Sequence, residues 1–106
     1  MVSPIRVVQT WPKGVDVALS AFGNPARLEV LCFLHDNGAS YFGDILEGVG
    51  SSSSSLARTL KYLEQDLGVI SGDVPLGDRK GRAPRYSLDH DKVREAIEAL
   101  QARLVG

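Results

Sequence analysis

Four leucines, Leu56, Leu60, Leu63 and Leu67, recur at i, i+4, i+7 and i+11. At about 3.6 residues per turn this spacing lines them along one face of a helix, and that face must be buried. The opposite face is then fixed as well: Ser54, Arg58, Lys61, Tyr62 and Gln65 point away from the leucines, with Ser55 and Thr59 on the flank. The helix opens in a run of five serines, Ser51 to Ser55, one of which can cap its free N–H groups while the others leave a compact, hydroxyl-lined entry. Gly48-Val49-Gly50 makes a tight turn before the run. Before that turn, Phe42, Ile45 and Leu46 form the apolar face of a shorter helix, with Val49 beyond it and Ser40 as its candidate cap. A short helix, a glycine turn and a longer helix make a helix-turn-helix.

The segments around this unit extend the pattern. Ile5-Arg6-Val7-Val8, between Pro4 and Pro12, reads as a short extended arm. Val15, Ala18, Leu19 and Phe22 then share one helical face, and Gly23 stops the helix. Asn24-Pro25 restarts one, since Asn caps free N–H groups and Pro belongs in a first turn. From Pro25 to about Asp36 the helix is apolar on nearly every side, which predicts a central element covered by neighbours. Asn37-Gly38 ends it with residues that tolerate a left-handed C-cap. After Gly68 the period changes: Val69-Ile70 and Pro84 to Leu88 read as two strands joined by a Gly-, Pro- and charge-rich tip, a β-hairpin. Asp89 or Asp91 caps a last helix, at about 91–104, with Val93, Ile97, Leu100 and Leu104 at a/d spacing. The fold expected is mainly α with a small β-hairpin, a winged helix-turn-helix. One domain covers 1–106, with an N-terminal arm at 1–12 and terminal helices for dimerisation.

Composition bounds the function. With 106 residues and 43 % apolar content the chain fills a single core. No apolar run is long enough to span a bilayer, no secretion signal is visible, and a lone Cys32 cannot form an internal disulfide, so the expected location is the cytoplasm. The net charge of −1 gives no direct support for a nucleic-acid partner, and its distribution is more informative than the sum. Residues 1–50 carry three basic and five acidic side chains, whereas residues 76–88 carry Arg79, Lys80, Arg82 and Arg85 against Asp78 alone. In a winged helix the hairpin tip lies beside the second helix of the pair, so these cations would flank a groove as phosphate or minor-groove contacts. On the helix, Arg58 can donate twice to guanine in the major groove, Ser and Thr hydroxyls reach bases or phosphates, and Tyr62 can bond phosphate. The candidate DNA-binding residues are Ser53, Ser54, Ser55, Arg58, Lys61, Tyr62, Arg79, Lys80, Arg82 and Arg85. A solvated helix face and a solvated hairpin tip are the ordinary alternatives; their adjacency in one fold favours the binding surface.

Three stretches together, Asn24-Pro25-Ala26-Arg27-Leu28-Glu29-Val30-Leu31, Ser55-Leu56-Ala57-Arg58-Thr59-Leu60-Lys61-Tyr62-Leu63-Glu64 and Gly68-Val69-Ile70, resemble the ArsR family of bacterial winged-helix repressors. The wing Gly81-Arg82-Ala83-Pro84-Arg85-Tyr86-Ser87-Leu88 is similar to that of related winged-helix regulators, and the likeness runs over about residues 15–104. The resemblance implies a homodimer on a palindromic operator, with Ser54, Ser55, Arg58 and Lys61 on the groove side. The sequence departs from that pattern in three places. Ala57-Arg58-Thr59 stands where the family often has Ser-Arg-His, Ser51 stands where its turn usually has an apolar residue, and Leu67 is one extra residue before Gly68.

Many ArsR-like proteins sense metals, and here the candidate soft ligands are only Cys32, His35 and His90. Cys32, in the most apolar helix, reads as a core cysteine, and His90, between Asp89 and Asp91, as a solvated residue at a helix start. No metal and no cofactor are expected. Neither a phosphate-cradling glycine signature nor a nucleophile elbow is present, so no enzymatic activity is expected either. The stripe Val93, Ile97, Leu100 and Leu104 is the candidate dimer interface. The expected function is a sequence-specific double-stranded DNA-binding transcriptional regulator, a repressor acting as a homodimer. The alternatives are a protein–protein interaction module on the same scaffold, or an architectural or accessory DNA factor.

Overall fold

The computed structural model describes residues 11–106. The arm expected at Ile5-Arg6-Val7-Val8 lies outside the described residues. The first helix, α1 (Lys13–Phe22), buries Val15, Ala18 and Ala21. Ala21 replaces Leu19, which is 49 % exposed, on the inward face expected from the sequence. Small residues form the crossing with the last helix: a Cβ on Gly14 would come within 2.7 Å of the Ala99 Cβ.

Asn24 caps α2 (Pro25–Asn37) as expected, its side chain accepting from the Arg27 N–H at 3.0 Å, with Pro25 in the first turn. Gly38, at φ +76°, ends the helix in a conformation that side chains disfavour. Val30, Leu31 and Leu34 enter the core. The helix is not covered on every side, however. Leu28 and Cys32 are exposed, which corrects the reading of Cys32 as a core cysteine. Apolar composition all round here marks one buried face and one open apolar face.

Ser40 does not cap the third helix. With Tyr41 it forms a two-residue strand, β1 (Ser40–Tyr41), buried to 6 % exposure and donating its hydroxyl to the Gly38 carbonyl at 2.9 Å. Tyr41 then occupies the N-cap of α3 (Phe42–Gly48) without a side-chain bond. The expected hairpin, β2 (Ile70–Gly72) and β3 (Arg85–Leu88), therefore belongs to a three-stranded antiparallel sheet of order β1-β3-β2. Ser40 faces Tyr86 across one ladder, and Ile70 faces Leu88 across the other. A three-residue 3-10 turn, Leu76–Asp78, interrupts the long connection between β2 and β3.

Ser52 is the serine that caps α4 (Ser53–Lys61), accepting from the Ser55 N–H at 3.2 Å. Leu56, Leu60 and Leu63 are fully buried and Leu67 packs at the edge of the same core, joined by Ile45, Val49, Val69 and Ile70. Beyond Lys61 the helix widens into a π-helical turn over Tyr62–Asp66, in which the Leu67 N–H donates to the Tyr62 carbonyl at 3.1 Å. A π turn holds one residue more than an α turn. Gly68, at φ +70°, then reverses the chain into β2. The last helix, α5 (His90–Leu104), is capped by Asp89, whose carboxylate accepts from the Lys92 N–H at 3.1 Å. It packs mainly on α1, through buried Ala96.

Candidate nucleic-acid interface

The face of α4 opposite its leucines is open. Ser53, Ser54, Arg58 and Lys61 are exposed, as is Gln65 in the π turn, while Ser55, Thr59 and Tyr62 are half-buried on the flanks. No acidic residue lies within Ser53–Lys61, and neither Arg58 nor Lys61 forms an ion pair among the described residues. Among the described residues the Arg58 guanidinium reaches only the Ser55 hydroxyl, at 3.5 Å. Free guanidinium and ammonium groups, serine hydroxyls and a small-residue helix entry can approach a phosphate backbone and donate to base edges.

Tyr62 is tied to a cation that periodicity alone does not single out. The Arg27 guanidinium lies 4.2 Å from the Tyr62 ring centroid and donates to the Ser20 carbonyl at 2.9 Å, linking α1, α2 and the end of α4. Arg27, Ser55, Arg58, Thr59, Tyr62 and Asn24 line one polar cleft beside α4. The signal for Arg27 lies only in its place one turn after the Asn24 cap, on the side of α2 that faces Tyr62.

The four wing cations divide. Lys80 and Arg82 are exposed at the tip, around Gly81 at φ +74°, and form no ion pair among the described residues. Arg85, at the start of β3, is half-exposed and held to Asp73, which accepts from the Arg85 backbone N–H at 2.7 Å and from its Nε at 3.4 Å. The backbone N–H of Arg85 is the main reason the Asp73 carboxyl lies below its ordinary value. Arg79 is turned away from the tip, which corrects its expected place beside Lys80 and Arg82. Its guanidinium pairs with Glu64 at 3.0 and 2.6 Å, and the two side chains are only 18 % and 13 % exposed. The hydrogen bond to Arg79 holds the Glu64 carboxyl below its ordinary value, against the opposing effect of burial. Burial in turn pushes the Tyr86 hydroxyl up.

The α5 stripe divides too. Val93 packs on the core and Leu100 is half-buried, while Ile97 and Leu104 face outward. Ile97 and Val93 continue into a groove with Phe22, Leu28, Leu31 and Cys32, an apolar face shared by α1, α2 and α5. His35 borders it, its Nδ1 3.0 Å from the Asp36 carboxylate next to it, and His90 is exposed at the first position of α5. No helix among the described residues is long and apolar enough to cross a membrane.

No protein-family model matches the sequence, and no curated protein matches it. The chain is similar in structure to an ArsR family transcriptional regulator, at 21 % identity and a TM-score of 0.67 over 91 % of each chain. It is also similar to the YusO protein from Bacillus subtilis, at 24 % identity and a TM-score of 0.57, covering 89 % of this chain and 69 % of that one. A transcriptional regulator from Thermotoga maritima aligns at 23 % identity and a TM-score of 0.56, covering 89 % of this chain and 71 % of that one. At these identities the likeness is one of fold. The chain is a mainly helical winged helix-turn-helix with a small three-stranded sheet, in which α3 and α4 form the helix-turn-helix and β2 and β3 the wing.

Proposed function

We propose that this chain is a sequence-specific double-stranded DNA-binding transcriptional regulator, a repressor that acts as a homodimer in the cytoplasm. The observation that carries the reading is the α4 face: Arg58 and Lys61 are exposed and form no ion pair among the described residues, beside serine hydroxyls and with no carboxylate within Ser53–Lys61. A helix of this kind enters the major groove with its N-terminal residues toward the base edges, and Arg58 donates two bonds to a guanine. Lys61 and the serines hold backbone on either side. The wing lies alongside, with Lys80 and Arg82 on phosphate and Arg85 at its base, and repression follows from obstructing the promoter. The two regulators among the similar structures support the same reading.

The homodimer rests on the apolar face. Leu28 and Ile97, 41 % and 50 % exposed, line one apolar groove with Phe22, Leu31, Cys32 and Val93, a surface of the kind that a partner covers. A second copy seated there about a two-fold axis covers it and doubles the DNA contacts into two half-sites one helical turn apart. Sedimentation at tens of micromolar should show a dimer; a monomer alone contradicts this part.

Selection of bound sequences from a random duplex library tests the whole reading, because it reports specificity, symmetry and half-site spacing together. An inverted repeat is the expected result. The interaction-module reading draws on the same apolar groove and on the net charge of −1. Recovery of no preferred duplex, with none retained at low salt, would favour it.

A further inference from the structure

We propose that Glu64 and Arg79 are a positioning pair that fixes the wing against the end of the recognition helix, so that Lys80 and Arg82 meet the DNA backbone at a set distance from Arg58. The inference rests on the DNA-binding reading. It adds a role for two residues that touch no DNA in it.

Every directed bond of the Arg79 head group goes inward. Its Nε donates to the Val74 carbonyl at 2.8 Å, Nη1 to Glu64 Oε1 at 3.0 Å and Nη2 to Glu64 Oε2 at 2.6 Å. The two planar groups meet fork to fork, the arrangement that gives an arginine–carboxylate pair its directionality. Glu64 Oε2 also accepts from the Gly72 N–H at 3.0 Å, so one carboxylate holds the end of β2 and the 3-10 end of the wing together. Tyr86, opposite Gly72 in β3, closes the far side with its ring centroid 5.8 Å from the guanidinium.

The location explains the purpose. Glu64 belongs to the π turn that follows α4, three residues beyond Lys61, the last exposed cation of that helix. Arg79 directly precedes Lys80, the first free cation of the wing. Between β2 and β3 the chain has twelve residues, 73–84, enough to sample many conformations unless tied down. The pair ties that loop at a point between the two cationic surfaces. Gly72 leaves the room: a Cβ there would collide with the Arg79 Nη2, the mobile end of the side chain that the clamp holds still.

A direct phosphate contact by Arg79 makes the opposite prediction for one substitution. If Arg79 gripped DNA, Glu64→Gln would remove a repelling carboxylate, release the guanidinium and tighten binding. The clamp predicts that Glu64→Gln weakens duplex binding, on the order of tenfold, with a shallower salt dependence because Lys80 and Arg82 lose their fixed place. Gly72→Ala, which changes no charge, and Arg79→Lys, which keeps the charge but not the fork, should weaken it in the same direction. In the free protein, amides of residues 73–84 should exchange faster in each variant while those of α2 and α4 keep their protection. Equal or tighter duplex binding by Glu64→Gln, or unchanged exchange in the wing, overturns the proposal. Failure of the unsubstituted chain to bind any duplex falls on the proposed function instead, and exchange in the free protein still decides the clamp.

Discussion

Arg58 and Lys61 on α4 and the four cations of the wing are chemically alike, yet the fold treats them differently. Among the described residues both helix cations stand exposed without an ion pair, whereas of the wing cations Arg79 is drawn into a bidentate pair, Arg85 shares Asp73, and only Lys80 and Arg82 remain unpaired. The difference comes from how direction is set. On a helix, burial of Leu56, Leu60 and Leu63 fixes where every other side chain points. In a loop no such rule holds, and each side chain settles on whatever partner the chain folds against.

The sharpest way to break the helix side of this comparison is to loosen the stripe that aims it. Leu60→Ala, at a side chain only 2 % exposed, should cost about 2–5 kcal/mol in denaturant unfolding. A loss below about 1 kcal/mol means that the stripe does not hold the helix. Arg58→Ala should leave stability unchanged and cost about 1–3 kcal/mol of duplex affinity, with relaxed preference at one base position. Intact affinity places the groove contact elsewhere.

The wing side calls for a different signature. Lys80→Ala combined with Arg82→Ala should weaken all duplexes alike, and the slope of log K against log salt should become shallower by about 1.8 for the two phosphates. A change in base preference instead would make the wing a reader of sequence. The smallest effect expected is one of pH. The Glu64 carboxyl lies below its ordinary value of 4.5 in the folded chain, so its stabilisation of the wing is fully present above about pH 4.5 and is lost as pH falls through the lowered value. Asp73, lowered for a similar reason, acts in the same direction. Hydrogen exchange should therefore show residues 73–84 loosening at acid pH before α4, whose buried stripe carries no titratable group. Simultaneous loss in both regions contradicts this.

What could be read from the sequence follows the same division. The leucine stripe, the Asn24 cap and the switch to strands after Gly68 depend on periodicity or on a local bond, and the structure has all three. The strand Ser40–Tyr41 was not legible, because two residues show no period and their pairing with Arg85 and Tyr86 joins segments far apart in the chain. The exposure of Cys32 was hidden for a related reason: composition tells that a surface is apolar, not whether another part of the same chain reaches it. Arg79 and Arg27 each found a partner, Glu64 or Tyr62, that no spacing rule predicts. The exposed face of α4 was legible from its stripe, whereas the partners of Arg27 on α2 and of Arg79 in the wing were not.

On the proposed reading, the α4 face and the wing tip together bind duplex DNA. Titration of the chain with the duplex recovered by selection, repeated from low to physiological salt, tests it most directly. The expected result is a log K that falls linearly and steeply with log salt, and a preference over random duplex that disappears in Arg58→Ala. Binding that is absent at low salt, or present but indifferent to salt and to Arg58, would contradict it.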